Sequence, residues 1–252
     1  MVRAIMHGCN GAMGHMITNI IKEDTEIEIV AGVDLAGKDE YDYPVFKTFK
    51  ECDVEADVII DFAYFKAMDA LLDYCEEKKV PAVLCTTALT PEQIERISKV
   101  SNEVALLRSA NMSLGINTIE KLLKQAVSVF APAGFDVEIV EKHHNLKKDA
   151  PSGTALALAD AINEQMGNQY HYVYDRSERS EKRDAMELGI SAVRGGNIVG
   201  EHEVFFCGLD EVIEIKHTAY SKAVFAKGAI AAAKYLAGKP AGLYDMKNVI
   251  NG

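Results

Sequence analysis

Short β-branched runs alternate with longer helical patterns through the N-terminal part of the chain. This alternation limits the fold more than any other feature, because it specifies βα units feeding a parallel sheet. Strands are expected at Val2–His7, Ile27–Val33 and residues 58–62, 82–85 and 104–108, and helices at 12–22, 66–79 and 91–100. In the first helix Met13, Met16, Ile17, Ile20 and Ile21 recur at spacings of three and four, which gathers them on one face. The run Ile29-Val30-Ala31-Gly32-Val33 is nearly continuous in apolar character, as a strand covered on both faces requires. Thr90, Pro91 and Glu92 form a helix start, with a capping hydroxyl, a proline at the first helical position and an early acid.

After Ser113 the pattern changes. A helix over 116–130 ends at Pro132-Ala133-Gly134, and Phe135, Val137 and Ile139 then alternate with Asp136, Glu138 and Val140, so that strand has one buried face. Further extended runs at 189–194, 203–206 and 212–217 predict a mixed or antiparallel open sheet, hence a second α+β domain. The expected division is residues 1–113 with 222–252 against 114–221. Residues 175–184, rich in charge, read as a solvated loop, and the Ala-rich helix Ala223–Leu236 is expected to pack back on the first domain.

Between the first strand and first helix lies Gly8-Cys9-Asn10-Gly11-Ala12-Met13-Gly14. Such a loop lets a pyrophosphate approach free N–H groups at a helix start, where the helix dipole favours an anion. Asp34 ends the second strand 20 residues beyond Gly14, where a carboxylate can accept hydrogen bonds from ribose hydroxyls. A tight turn followed by a surface aspartate would share the same spacing. The segment from Glu141 to Thr154 concentrates other chemistry: His143 and His144 are adjacent, Lys147 and Lys148 follow, and Pro151-Ser152-Gly153-Thr154 opens an alanine-rich helix. The net charge is −11, so this is a local positive island suited to a small anion, while the global balance disfavours nucleic acid. The five cysteines are scattered without a C-x-x-C pair, which suggests neither disulfides nor a metal site. No apolar stretch suits a membrane span, and the protein reads as cytoplasmic.

The string Glu141-Lys142-His143-His144-Asn145-Leu146-Lys147-Lys148-Asp149-Ala150-Pro151-Ser152-Gly153-Thr154-Ala155 resembles the signature of the 4-hydroxy-tetrahydrodipicolinate (dihydrodipicolinate) reductase family, E-x-H-H-x-x-K-x-D-A-P-S-G-T-A, at every fixed position. The glycine loop, Thr86-Thr87, Asn111-Met112-Ser113 and Gly200-Glu201-His202-Glu203 fall in that family's order. The resemblance implies a Rossmann-type nicotinamide domain built from both chain ends. It also implies a central substrate-binding and tetramer-forming domain, and a step in the diaminopimelate route to lysine. Carried over, it makes His143 and Lys147 catalytic, the first as proton donor and acceptor and the second as a proton donor. His144, Ser152, Gly153 and Thr154 would hold the carboxylates of a small dicarboxylate. Cofactor contacts would come from Gly8, Cys9, Asn10, Gly11, Ala12, Met13, Asp34, Cys85, Thr86, Thr87, Ser109, Ala110, Asn111 and Met112.

Three positions depart from the family pattern. Ala12 and Leu35 stand where arginines are common, and Ala88 replaces the last glycine of G-T-T-G. Asp34 would repel a 2′-phosphate, and Lys38 is the nearest cation in sequence, so NADH is expected to be preferred and NADPH accepted. Rival readings are a semialdehyde dehydrogenase on a similar first domain and a non-catalytic NADH sensor. Neither accounts for the H-H-x-x-K and P-S-G-T cluster.

Overall fold

The computed structural model describes residues 1–37 and 41–252, which divide into two compact units: Met1–Leu114 with Ala223–Gly252, and Gly115–Lys222. The first unit holds β1 (Val2–His7), α1 (Ala12–Ile21), β2 (Ile27–Val33), β3 (Val45–Phe46), β4 (Val58–Asp61), α2 (Met68–Lys78), β5 (Ala82–Leu84), α3 (Pro91–Val100) and β6 (Ala105–Arg108). The second holds α4 (Leu114–Phe130), whose first residue belongs to the first unit, β7 (Asp136–His143), α5 (Gly153–Gln165), β8 (His171–Val173), β9 (Glu187–Arg194), β10 (Gly200–Cys207) and β11 (Val212–Ala219). The chain then returns to the first unit as α6 (Ala223–Leu236), β12 (Gly242–Tyr244) and α7 (Met246–Asn251).

The first sheet has the order β12-β6-β5-β4-β1-β2-β3 and is parallel throughout. Strand order reverses between β1 and β4, the switch point at whose carboxyl edge doubly wound folds bind ligands. Side-chain alternation splits the core. Ala4, Met6, Val58, Ile60, Val83 and Leu107 face α1 and α6, while Ile5, Ile59, Ala82, Leu84 and Leu106 face α2 and α3. Helix α6 therefore shares the cover of one face with α1, and the sheet edge is closed by the three-residue β12, which the sequence pattern did not reveal. Thr90 caps α3 as expected: its hydroxyl accepts the Gln93 N–H at 3.3 Å, and the Gln93 side chain accepts the Thr90 N–H at 3.1 Å.

The second sheet is mixed, with the order β11-β10-β7-β9-β8; β7 is antiparallel to β10 and parallel to β9. Reading across β9, β7, β10 and β11, its helix-covered face runs in rows. Leu188, Val137, Phe206 and Ile213 form one row, and Ile190, Ile139, Val204 and Ile215 the next. Both pack on α4 and α5 through residues such as Leu123, Val127, Leu158 and Ile162. The two rows beyond carry ionisable groups: Glu141, His202 and His217 beside Ala192, then Arg194 and His143, with Gly200 close to His143. The apolar core thus gives way to ionisable groups at one end of the sheet. The loop over 175–184 is not simply solvated. Arg176 and Arg183 reach Glu138 at 2.7 and 3.0 Å, and Arg176 and Arg179 share Glu187. The Arg179 guanidinium holds the Glu187 carboxyl down to about 2. Charge spacing alone could not show these partners, because Glu138 lies on another strand.

Candidate active site

At the carboxyl edge of the first sheet, His7, Gly8, Gly11, Asp34, Phe62 and Tyr64 line a cavity of about 270 Å³. Gly8 has φ +79°, and a Cβ on it would stand 2.9 Å from the Phe62 carbonyl oxygen. A Cβ on Gly14 would stand 2.3 Å from the Cys9 carbonyl oxygen, so α1 starts as close to the loop as a bare backbone permits. Gly14→Ala is accordingly expected to cost about 1–3 kcal/mol and to weaken dinucleotide binding, measured by urea unfolding and by titration with NADH. The Asp34 carboxylate accepts N–H bonds from Asn10 at 3.2 Å and Ala36 at 2.9 Å, joining the glycine loop to the turn after β2. This cavity, cradle and carboxylate fit a dinucleotide.

Thr86 and Thr87 follow β5. The Thr86 hydroxyl is turned inward, 2.7 Å from Asp61 Oδ2 and 2.9 Å from the Ala63 carbonyl, while Thr87 is exposed. Buried Asp61 also accepts the Ala63 N–H, and its Oδ1 lies 2.8 Å from His7 Nδ1, in ion-pair range but outside hydrogen-bond geometry. Ala88 has φ +58°, the left-handed turn that the usual glycine would make without strain. Ser109 and Ala110 follow β6. Asn111 accepts the Ser113 N–H at 2.8 Å, and Met112 is buried in the core with its carbonyl close against Gly228 of α6.

In the second unit, His143 ends β7 with its Nδ1 2.5 Å from Glu141 Oε2. Glu141 is fully buried. Its two oxygens take the Arg194 guanidinium at 2.6 and 2.8 Å, and Oε1 also accepts the Ser152 N–H at 3.0 Å. Burial alone would lift the Glu141 carboxyl, yet Arg194, His143 and that N–H outweigh it and hold the group below its ordinary value. Burial pushes His143 below the ordinary imidazole range against the pull of Glu141, and the charges of Lys147 and Arg194 add to the lowering. His202 stands edge-on to His143, 5.2 Å between ring centres; burial, with His143 beside it, brings it down to about 4. A side chain on Gly200 would meet His143 Nε2 at 3.1 Å, so the glycine keeps that nitrogen uncovered.

Lys147 Nζ pairs with Asp149 at 2.9 Å, and its N–H donates to the His144 carbonyl at 3.2 Å. His144 has a buried Nδ1 without a hydrogen-bond partner among the described residues. The Ser152 hydroxyl is buried, accepts the Ala155 N–H at 3.2 Å as the cap of α5, and lies 3.2 Å from His202 Nε2. It is occupied in holding the site together. Gly153, by contrast, opens α5 with nothing near its Cβ position.

The sequence matches two family descriptions in succession, "Dihydrodipicolinate reductase, N-terminus" over residues 2–112 and "Dihydrodipicolinate reductase, C-terminus" over residues 115–250. The chain belongs to the dihydrodipicolinate reductase family. It is 50% identical over 252 residues to the 4-hydroxy-tetrahydrodipicolinate reductase of Caldanaerobacter subterraneus subsp. tengcongensis, covering 99% of this chain and 98% of that one. The Clostridium tetani protein of the same name is 49% identical, with 100% and 98% coverage. A solved dipicolinate-bound dihydrodipicolinate reductase from Paenisporosarcina sp. TG-14 shares the fold, with TM-score 0.82, 23% identity and 99% of each chain covered. In this member of the family, the structure brings His143, Glu141 and Ser152 together at one end of the second sheet. It adds Arg194 and His202, to which sequence spacing assigned no role. Arg194 is 53 residues from Glu141 and becomes legible only through the pairing of β7 with β9.

Proposed function

We propose that this chain reduces 4-hydroxy-tetrahydrodipicolinate (dihydrodipicolinate) to tetrahydrodipicolinate in the diaminopimelate route to lysine. The first unit would bind the nicotinamide dinucleotide and the second the substrate. The observation that carries the reading is the His143, Glu141 and Arg194 array, with Nε2 of His143 left open beside Gly200. A bound NAD(P)H supplies a hydride. Loss of the 4-hydroxyl as water gives the conjugated imine, which gains one hydride and one proton in all; His143 would supply that proton to the ring, where electron density builds on reduction. Glu141 fixes the imidazole through Nδ1 and favours the protonated ring. Lys147 is the second proton donor and a counter-charge for the dianion. His144, Gly153 and Thr154 orient its carboxylates, aided by the exposed start of α5.

Asp34 supports a preference for NADH with NADPH accepted, since a carboxylate suits ribose hydroxyls and opposes a phosphate. Lys38, the expected counter-charge, lies outside the described residues. Assembly as a homotetramer through the second unit is supported by the sheet face opposite α4 and α5. There, Lys142, Glu201, Glu203 and Lys216 form a lattice of ion pairs across β7, β10 and β11. A cytoplasmic location accords with a biosynthetic reductase none of whose described helices is long and apolar enough to cross a membrane.

One assay tests the function. The purified protein is expected to oxidise NADH when given the product of dihydrodipicolinate synthase and not when given an amino-acid semialdehyde. Turnover of the semialdehyde, or of neither compound, would overturn the reading.

A further inference from the structure

We propose that Lys47 is the residue that admits the 2′-phosphate of NADPH, and so determines how far this chain discriminates between the two dinucleotides. The inference rests on the dinucleotide reading of the first unit and concerns a residue that the glycine loop and its following acid do not include. Strand β3 pairs with the end of β2, Gly32 with Val45 and Val33 with Phe46, and the Asp34 N–H donates to the Phe46 carbonyl at 2.9 Å. Lys47 is the next residue after Phe46, so it leaves the sheet at the same edge as the carboxylate placed to meet the ribose. Its stem lies over the turn that follows Asp34. A Cβ on Gly37, which has φ +80°, would meet Lys47 Cε at 3.2 Å and Cγ at 3.8 Å. The turn therefore owes its glycine to two demands, a left-handed backbone and the passage of this side chain.

The chemistry of the position follows. A 2′-phosphate on a ribose held by Asp34 sets two anions side by side, and a cation on the adjoining turn offsets that repulsion. Lys47 is exposed and makes no ion pair among the described residues. The Glu51 carboxylate accepts the Lys47 backbone N–H at 3.2 Å, which anchors the start of the residue and leaves the ammonium to its stem. A lysine here acts as a solvated point charge, not a two-pronged clamp. Its expected contribution is about five- to tenfold in affinity, and it weakens as salt rises.

The experiment is calorimetric titration of NADPH and NADH into the unaltered protein, Lys47→Met and Lys47→Arg, at low and at physiological salt. Methionine keeps an apolar stem over Gly37 and removes the charge; arginine restores the charge. Lys47→Met is expected to weaken NADPH by about five- to tenfold with NADH changed less than about twofold, and Lys47→Arg to bind NADPH at least as well as the unaltered protein. Adenosine 2′,5′-bisphosphate and AMP, titrated alongside, should repeat the contrast without the nicotinamide. Unchanged NADPH affinity in Lys47→Met would overturn the proposal, as would a parallel loss of both dinucleotides. Failure of the unaltered protein to bind either dinucleotide would overturn the cofactor reading itself, a result distinct from any difference between variants.

Discussion

His143→Ala and Lys147→Ala are each expected to lower kcat by about 10²-fold or more while leaving NADH affinity near that of the unaltered protein, because a positioned proton donor contributes on that scale. The cofactor cradle and these two side chains lie on different units, so loss of the imidazole or the ammonium leaves Gly8, Asp34 and Thr86 undisturbed. The two variants should differ in their dependence on pH. In the unaltered protein the imidazole is held below its ordinary value by burial, so it is a stronger acid than free histidine but carries its proton in fewer molecules at neutral pH. Activity that depends on protonated His143 therefore falls as pH rises through that lowered value. Lys147→Ala should keep this limb of the profile, and His143→Ala should lose it. Steady-state rates across pH, with a separate titration of NADH, check both statements. Near-normal turnover in either variant would remove that residue from the chemistry.

Glu141→Gln is expected to act on stability and on rate together. The carboxylate is fully buried and meets Arg194 through both oxygens, so neutralising it strands a guanidinium that is itself largely covered. Breaking such a pair from one side costs about 3–5 kcal/mol. Urea unfolding measures the loss. The linkage has a definite sign. The carboxyl is held below its ordinary value in the folded protein, so its stabilisation is complete above the unfolded value and is lost as pH falls through the folded one. Glu141→Gln should therefore lose most stability at neutral pH and least in acid. Its effect on rate runs through His143: without the carboxylate that favours the protonated ring, the imidazole value drops further and the fall in activity begins at lower pH. A variant with intact stability and an unshifted profile would show that Glu141 neither holds Arg194 nor positions His143.

How much of this was legible in the sequence depended on the range of the interaction involved. The alternation of Val137 and Ile139 with Asp136 and Glu138 marked β7 because a period of two is local, and the cap at Thr90 was written within four residues. Strands β3, β8 and β12 span two or three residues, too short to carry a period, and the last exists because β6 offers an open edge. The site divided in the same way. The signature segment displayed His143, His144 and Lys147 in one stretch, whereas Arg194 and His202 join through strand register. Ser152 was visible as a residue but not in its task, since a hydroxyl near a substrate loop and a buried helix cap look alike in sequence. The nearest cation to Asp34 along the chain is Lys38, but β3 pairing brings Lys47 to the same edge.

The return of the chain to the first unit after residue 222 has a consequence for synthesis. Residues 115–222 form one uninterrupted segment containing every strand of the second sheet, so all its partners are present once that segment has left the ribosome. The first sheet is made earlier but stays unfinished. Until residues 223–252 emerge, Ile17, Ile60, Val83 and Leu107 lack the cover of Ala226, Ala229, Ile230 and Ala233, and β6 is a bare edge. A message truncated after Lys222 would therefore yield a nascent protein whose finished half was translated second and whose unfinished half, translated first, presents an apolar face to chaperones and proteases.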